Sequence, residues 1–119
     1  MLKLKDNTVI VAGLHPEMYF ALGLAEYAFA VFGKECVITA ALEGEHNPSS
    51  RHPLGYAVDI HNADLETEIR LGLFLKLQRL ERYGFDVVDE RPGQTGKTTA
   101  AHFHIEYDPK PGERVSVFG

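Results

Sequence analysis

The sequence predicts a small α+β domain in which two helices pack on a mainly antiparallel sheet. Three patterns point there. Two long stretches repeat apolar residues at three- and four-residue steps, two short ones alternate apolar with polar residues, and brief apolar, β-branched runs lie between clusters of Gly, Pro, Asn and Ser. A chain of 119 residues has room for one such core and not two, because domains typically need about 100–150 residues. Residues 1–119 are therefore read as a single domain.

The first helix opens at Leu14-His15-Pro16-Glu17. Proline suits a first turn, and an acid there favours the positive end of the helix dipole. Met18, Leu22, Ala25, Phe29 and Phe32 form its apolar stripe, and Gly33 offers the stop. Cys36 to Leu42 reads as a strand, followed by a polar loop from Glu43 to Pro53. From Gly55 to His61 the chain alternates, placing Tyr56, Val58 and Ile60 on a core face and Ala57, Asp59 and His61 on a polar one. Asn62 or Asp64 is a candidate cap for a second helix running to about Tyr83, with Leu65, Ile69, Leu73, Leu77 and Leu80 buried and Gly84 as the stop. Phe85 to Val88 is a short strand, and Glu90 to Thr99 a Gly- and Thr-rich loop placed to border a cleft. His102 to Tyr107 alternates again: Phe103, Ile105 and Tyr107 face the core, and His102, His104 and Glu106 the polar side. Val115 to Phe118 is a candidate edge strand.

Composition narrows the function classes. A hydrophobic fraction of 45% with seven Phe and five Tyr suits a folded globular chain. The net charge of −5, with Lys and Arg scattered, provides no basic footprint for nucleic acid. The most apolar stretch, Met18 to Phe32, is interrupted by Glu26 and falls short of the roughly 20 residues a membrane span needs. Cys36 is the only cysteine, so intramolecular disulfides and multi-thiolate zinc sites are excluded. Its apolar surroundings predict a buried, inert thiol. The N-terminus has no signal-peptide pattern, so a protein made in the cytoplasm, and a monomer, is expected.

Five of the six histidines, His46, His52, His61, His102 and His104, fall in or beside the two polar strand faces and their loop. A single histidine would need no explanation, but this clustering does. Catalytic zinc typically takes three protein ligands and a water, with neutral imidazoles and a carboxylate as suitable donors. His52, Asp59 and His104 meet that requirement. Asp59, between Val58 and Ile60, is costly to bury as a carboxylate unless a cation pairs with it. A salt bridge or a capping role is the other reading of Asp59 taken alone.

Ser50-Arg51-His52-Pro53-Leu54-Gly55-Tyr56-Ala57-Val58-Asp59 matches the S-x-H-x-x-G-x-A-x-D pattern of the zinc D-Ala-D-Ala carboxypeptidase and L-alanyl-D-glutamate endopeptidase family. His102-Phe103-His104 matches its downstream H-x-H. The chain thus resembles that family from Ile38 to Asp108, within a wider set that includes lysostaphin-type endopeptidases and the hedgehog signalling domain. Small phage-encoded members look most similar, on Glu43-Gly44-Glu45-His46 and His104-Ile105-Glu106-Tyr107-Asp108-Pro109.

The resemblance implies a hedgehog- or D,D-peptidase-like fold, Zn2+ held by His52, Asp59 and His104, and His102 as general base or transition-state stabiliser. Ser50 and Gly55 would shape the loop and the start of the strand. Many members carry a glutamate three residues before the last ligand; here Ala101 stands there, which places proton transfer on His102. Two residues apart on one strand, His102 and His104 point the same way about 6–7 Å apart, within reach of one water. Glu106 is either an orienting partner for a ligand or a solvated residue. His46, Ser50, Arg51 and His61 are candidate substrate contacts.

The implied activity is hydrolysis of a stem or cross-link peptide of bacterial peptidoglycan by a zinc-activated water. Without an export pattern, access to the wall after lysis or through a pore is expected, as for a phage endolysin. Carboxypeptidase members often carry an arginine ahead of the motif, where this chain has Ala40-Ala41-Leu42-Glu43. An acid there would repel a terminal carboxylate, so cleavage of an internal bond is expected over removal of a terminal D-alanine. Arg51 is the residue that could supply the missing cation. The alternatives are a non-catalytic zinc module and a structural virion protein.

Overall fold

A histidine, a proline and an acid start the first helix. In the computed structural model, which describes residues 2–9, 11–41, 56–92 and 101–109, helix α1 spans Pro16–Val31. His15 is its N-cap: Nδ1 accepts the Glu17 backbone N–H at 3.3 Å, satisfying one of the donors a helix leaves open at its start. Met18, Leu22, Ala25 and Phe29 of the expected stripe are buried, Ala21 with them, and Phe32 is partly buried. Gly33 and Gly84 both adopt positive φ, at 69° and 91°. That is the left-handed geometry a chain uses to leave a helix and that glycine reaches without steric cost.

Among the described residues, five strands follow the expected pattern with one addition. They are β1 (Leu2–Leu4), β2 (Cys36–Ala40), β3 (Ala57–His61), β4 (Phe85–Glu90) and β5 (His102–Tyr107), arranged in the order β1-β2-β3-β5-β4. Only β1 and β2 run parallel; the other neighbours are antiparallel. The architecture is the small α+β fold of two helices and a mainly antiparallel sheet, and no helix among the described residues is long and apolar enough to cross a membrane.

Several boundaries differ from the sequence reading. Strand β1 was not foreseen; three residues carry too little periodicity, and its partner lies over thirty positions away at Cys36. The second helix, α2, begins at Thr67 and ends at Leu77, continuing as a 3₁₀ turn over Gln78–Tyr83. Neither Asn62 nor Asp64 caps it: the N-cap is Glu66, which makes no side-chain cap bond. The Asn62 carboxamide is occupied elsewhere in the core. Strand β4 extends through Asp89 and Glu90, where a loop was expected, because both pair with β5. Strand β2 ends at Ala40 rather than Leu42. The candidate edge strand at Val115 to Phe118 lies outside the described residues.

Phe103 shows how the core fixes the polar face. It is fully buried on β5, meeting Phe29 of α1 edge-on at 6.2 Å and stacking with Phe74 of α2 at 6.3 Å. Both helices therefore grip the strand between His102 and His104. Cys36, Ile38, Val58, Ile60, Phe85, Val87, Ile105 and Tyr107 add to the sheet's contribution to this core. Tyr56, half-buried, packs against it, stacks with Tyr107 and meets the His15 ring at a tilt, as a core-facing residue would.

Candidate metal centre

Alternation along β3, β5 and β4 places polar residues on the sheet face away from the helices, and antiparallel register aligns them in rows. Asp59 lies across from His104, and His104 across from Val88. The next row holds His61, His102 and Glu90, and the row on the other side Ala57, Glu106 and Asp86. Ala57 belongs to this face by register yet is fully buried, so β3 contributes polar side chains to the face only at Asp59 and His61. A register irregularity in β2 between Ile38 and Ala40 brings Ala40 opposite Asp59.

At the centre, Asp59 Oδ1 lies 2.8 Å from His104 Nδ1 and 3.6 Å from His102 Nε2. The three side chains are only 12–16% exposed. On its other side, His104 Nε2 is 2.9 Å from Glu106 Oε1. Glu90 Oε2 lies 3.3 Å from His102 Nε2. The result is an alternating line of carboxylates and imidazoles: Glu90, His102, Asp59, His104, Glu106.

This line favours positive charge. Burial alone pushes the His104 pKa down, but the hydrogen bonds to Asp59 and Glu106 and the charges of both carboxylates outweigh it, raising the value to about 9. Without a metal, the imidazolium itself supplies the cation that a largely desolvated Asp59 requires.

The same donors suit a metal ion. Ligand atoms about 2.0–2.1 Å from a tetrahedral zinc lie roughly 3.3 Å apart, and the Asp59–His104 and Asp59–His102 separations of 2.8 and 3.6 Å bracket that distance. Asp59, His102 and His104 thus form a group that could hold a metal ion, each offering a ligand atom within 4.8 Å of the others. Glu106 on the far nitrogen of His104 is the carboxylate partner that metal-bound histidines commonly have. A second group, Asp86, Glu106 and Asp108, holds only carboxylates, and its Glu106 is already engaged with His104.

No family model, curated protein or solved structure matches the chain. What bears on function is therefore the motif and this geometry.

Of the residues singled out from sequence, Asp59, His102 and His104 are brought together, and Glu106 joins them through His104. His61 shares their face but turns to Asp64, with Nε2 3.0 Å from Oδ1. His52, and with it Ser50, Arg51 and His46, lies outside the described residues. Glu90 was missed as a site residue because the apolar run of β4 ends at Val88, so the polar pair after it looked like the start of a loop. The polar network of buried Asn62 with partly buried Arg70, Asp89 and Arg91 was also missed. A signal for it existed only in the unusual adjacency of Asn62 to a core strand.

Proposed function

We propose that the chain is a zinc metallopeptidase that hydrolyses a peptide bond in bacterial peptidoglycan. The observation that carries this reading is the convergence of Asp59, His102 and His104 at one buried point of the polar sheet face, in a chain whose Ser50–Asp59 and His102–His104 segments have the motif spacing of such enzymes. Asp59 and His104 are the metal-holding residues, with His52 as the third, and His102 acts beside them.

Zinc, when bound there, supplies Lewis-acid polarisation of the scissile carbonyl. Glu106 accepts a hydrogen bond from the His104 ring and fixes its orientation and tautomer. Asp59 supplies negative charge, so the protein's own donors offset much of the cation's charge in a site largely shielded from water. His102 moves the proton: an imidazole can take one from the attacking water and deliver it to the leaving amine nitrogen, a role worth about 10²–10⁴-fold in rate. Cleavage of an internal bond of a stem or cross-link peptide is the preferred specificity, because Glu43 stands where a carboxylate-binding arginine would serve a carboxypeptidase.

The test offers a pentapeptide ending in D-Ala-D-Ala beside intact cross-linked peptidoglycan, with and without zinc. Zinc-dependent appearance of new internal amino termini supports the reading. Efficient release of free D-alanine that disappears in Arg51→Ala would instead assign carboxypeptidase action with Arg51 as the carboxylate clamp.

A further inference from the structure

We propose that Glu90 is the positioning residue of His102, and that a polar brace built on buried Asn62 and straddling Glu90 in the sequence holds it there. This rests on the reading of His102 as the proton-transfer group given above.

Glu90 and His102 face each other across β4 and β5 in register, with Oε2 3.3 Å from Nε2. The two residues flanking Glu90 are tied to one side chain. Asn62, fully buried just after β3, donates from Nδ2 to Asp89 Oδ1 at 3.0 Å and accepts from Arg91 Nη1 on Oδ1 at 2.9 Å. Asp89 also pairs through Oδ2 with Arg70 of α2. The end of β3 and the end of β4 thus meet at one carboxamide whose donor and acceptor ends are both used, and α2 joins them through Asp89.

Alternation sends Asp89 toward α2 and Glu90 to the opposite face. With the backbone pinned on both sides, the Glu90 Cα is held opposite His102. Only the carboxylate's own side-chain rotamers then remain to be ordered in holding its partner.

The consequence for His102 is chemical. Its Nε2 lies between two carboxylates, Asp59 at 3.6 Å and Glu90 at 3.3 Å. Asp59 is assigned to the metal, so Glu90 is the nearer carboxylate that faces Nε2 without a place on the metal. Its negative charge draws that edge of the ring toward β4 and so sets the orientation in which His102 meets the site. An enzyme needs such orientation, since small misplacements of a reacting group cost up to about 10²-fold in rate.

The experiment uses the full zinc-loaded chain with ¹⁵N-labelled histidine, recording the His102 ring signals at one fixed pH near neutrality together with zinc content and peptidoglycan cleavage. The unaltered protein should show one sharp set of His102 ring signals. In Glu90→Ala these signals should shift and broaden, with kcat falling about tenfold or more, KM within about twofold and zinc content unchanged. Asn62→Ala, with Glu90 intact, should show the same ring change in weaker form. Glu90→Gln keeps the shape and a neutral acceptor, and should fall between, which keeps the test available if the alanine variant fails to fold. Ring signals and kcat unchanged in Glu90→Ala or Glu90→Gln would overturn the proposal, and so would loss of zinc, which would make Glu90 a support of metal binding instead. If the unaltered zinc-loaded chain cleaves no peptidoglycan, the peptidase reading fails by itself, and the ring signals still decide whether Glu90 positions His102.

Discussion

Asp59 and His104 face each other across β3 and β5, with Oδ1 2.8 Å from Nδ1. Neither is held there by chance contact: Val58 and Ile60 flank Asp59 in the core, and Phe103 and Ile105 flank His104. Rigid strands thus fix both donors before any metal arrives. Asp59→Ala and His104→Ala are each expected to abolish zinc binding. Glu106→Gln should leave the ligands in place but weaken zinc affinity by about 10–100-fold, the usual effect of removing an orienting carboxylate. Competition against a chelating dye reads all three, and an unaltered affinity in Glu106→Gln would mean that its contact with His104 has no bearing on the metal.

The metal-free protein should be most stable on the acid side of the His104 transition. The folded pKa is raised from 6.5 to about 9, so the native state binds the proton more tightly than the unfolded chain. That contribution is fully present below pH 6.5 and is lost as pH rises through about 9. The thermal midpoint of chelated protein should accordingly fall across this window, and the fall should be shallower in Glu106→Gln. Zinc uptake near neutral pH should release a proton from the same site, measurable as buffer-dependent heat.

The Asn62 brace makes a separate prediction for stability. Asn62→Ala leaves the Asp89 and Arg91 groups it now bonds without those partners, and a lost buried partner costs about 1–3 kcal/mol. Urea denaturation of the chelated protein should show that loss. An unchanged midpoint would mean that Arg70 and Arg91 satisfy Asp89 without it.

Much of this site was legible because two strands carry strict alternation. His102, His104 and Glu106 point together because Phe103, Ile105 and Tyr107 must be buried, a signal contained within six residues. Asp59 was legible for the same reason. Glu90 was not, because its place in β4 depends on pairing with His102 and its neighbour Asp89 is accepted at the sheet's end through Arg70, nineteen positions away. Asn62 looked like a helix cap because Asn commonly is one; its real partners on β4 and beyond are set by tertiary packing. Strand β1 depends in the same way on β2 and on Glu26 of α1, which accepts the Leu2 backbone N–H.

Cys36 should be chemically silent in the native protein. It is fully buried, and burial, aided by the negative charge of Glu26, pushes the thiol up to about 12, so almost no thiolate exists at neutral pH. Thiol reagents should label it only on unfolding, at a rate that follows denaturant. Rapid labelling under native conditions would contradict its placement in the core.

Adjacent positions on β5 should separate function from stability. Phe103→Ala removes a buried ring shared by both helices and should cost about 3–5 kcal/mol, with a lowered denaturation midpoint. His102→Ala should keep the fold and the zinc but lose about 10²–10⁴-fold in cleavage rate. Loss of zinc from His102→Ala with retention in His52→Ala would exchange the two histidines' roles.

The central claim is zinc-dependent peptidoglycan hydrolysis, and the most direct measurement is mass spectrometry of purified peptidoglycan digested with the zinc-loaded protein, alongside a chelated control and the folded His102→Ala variant. The account predicts new peptide termini at one bond type, absent after chelation and strongly reduced in His102→Ala. Intact peptidoglycan after prolonged digestion with folded, fully zinc-loaded protein would contradict it.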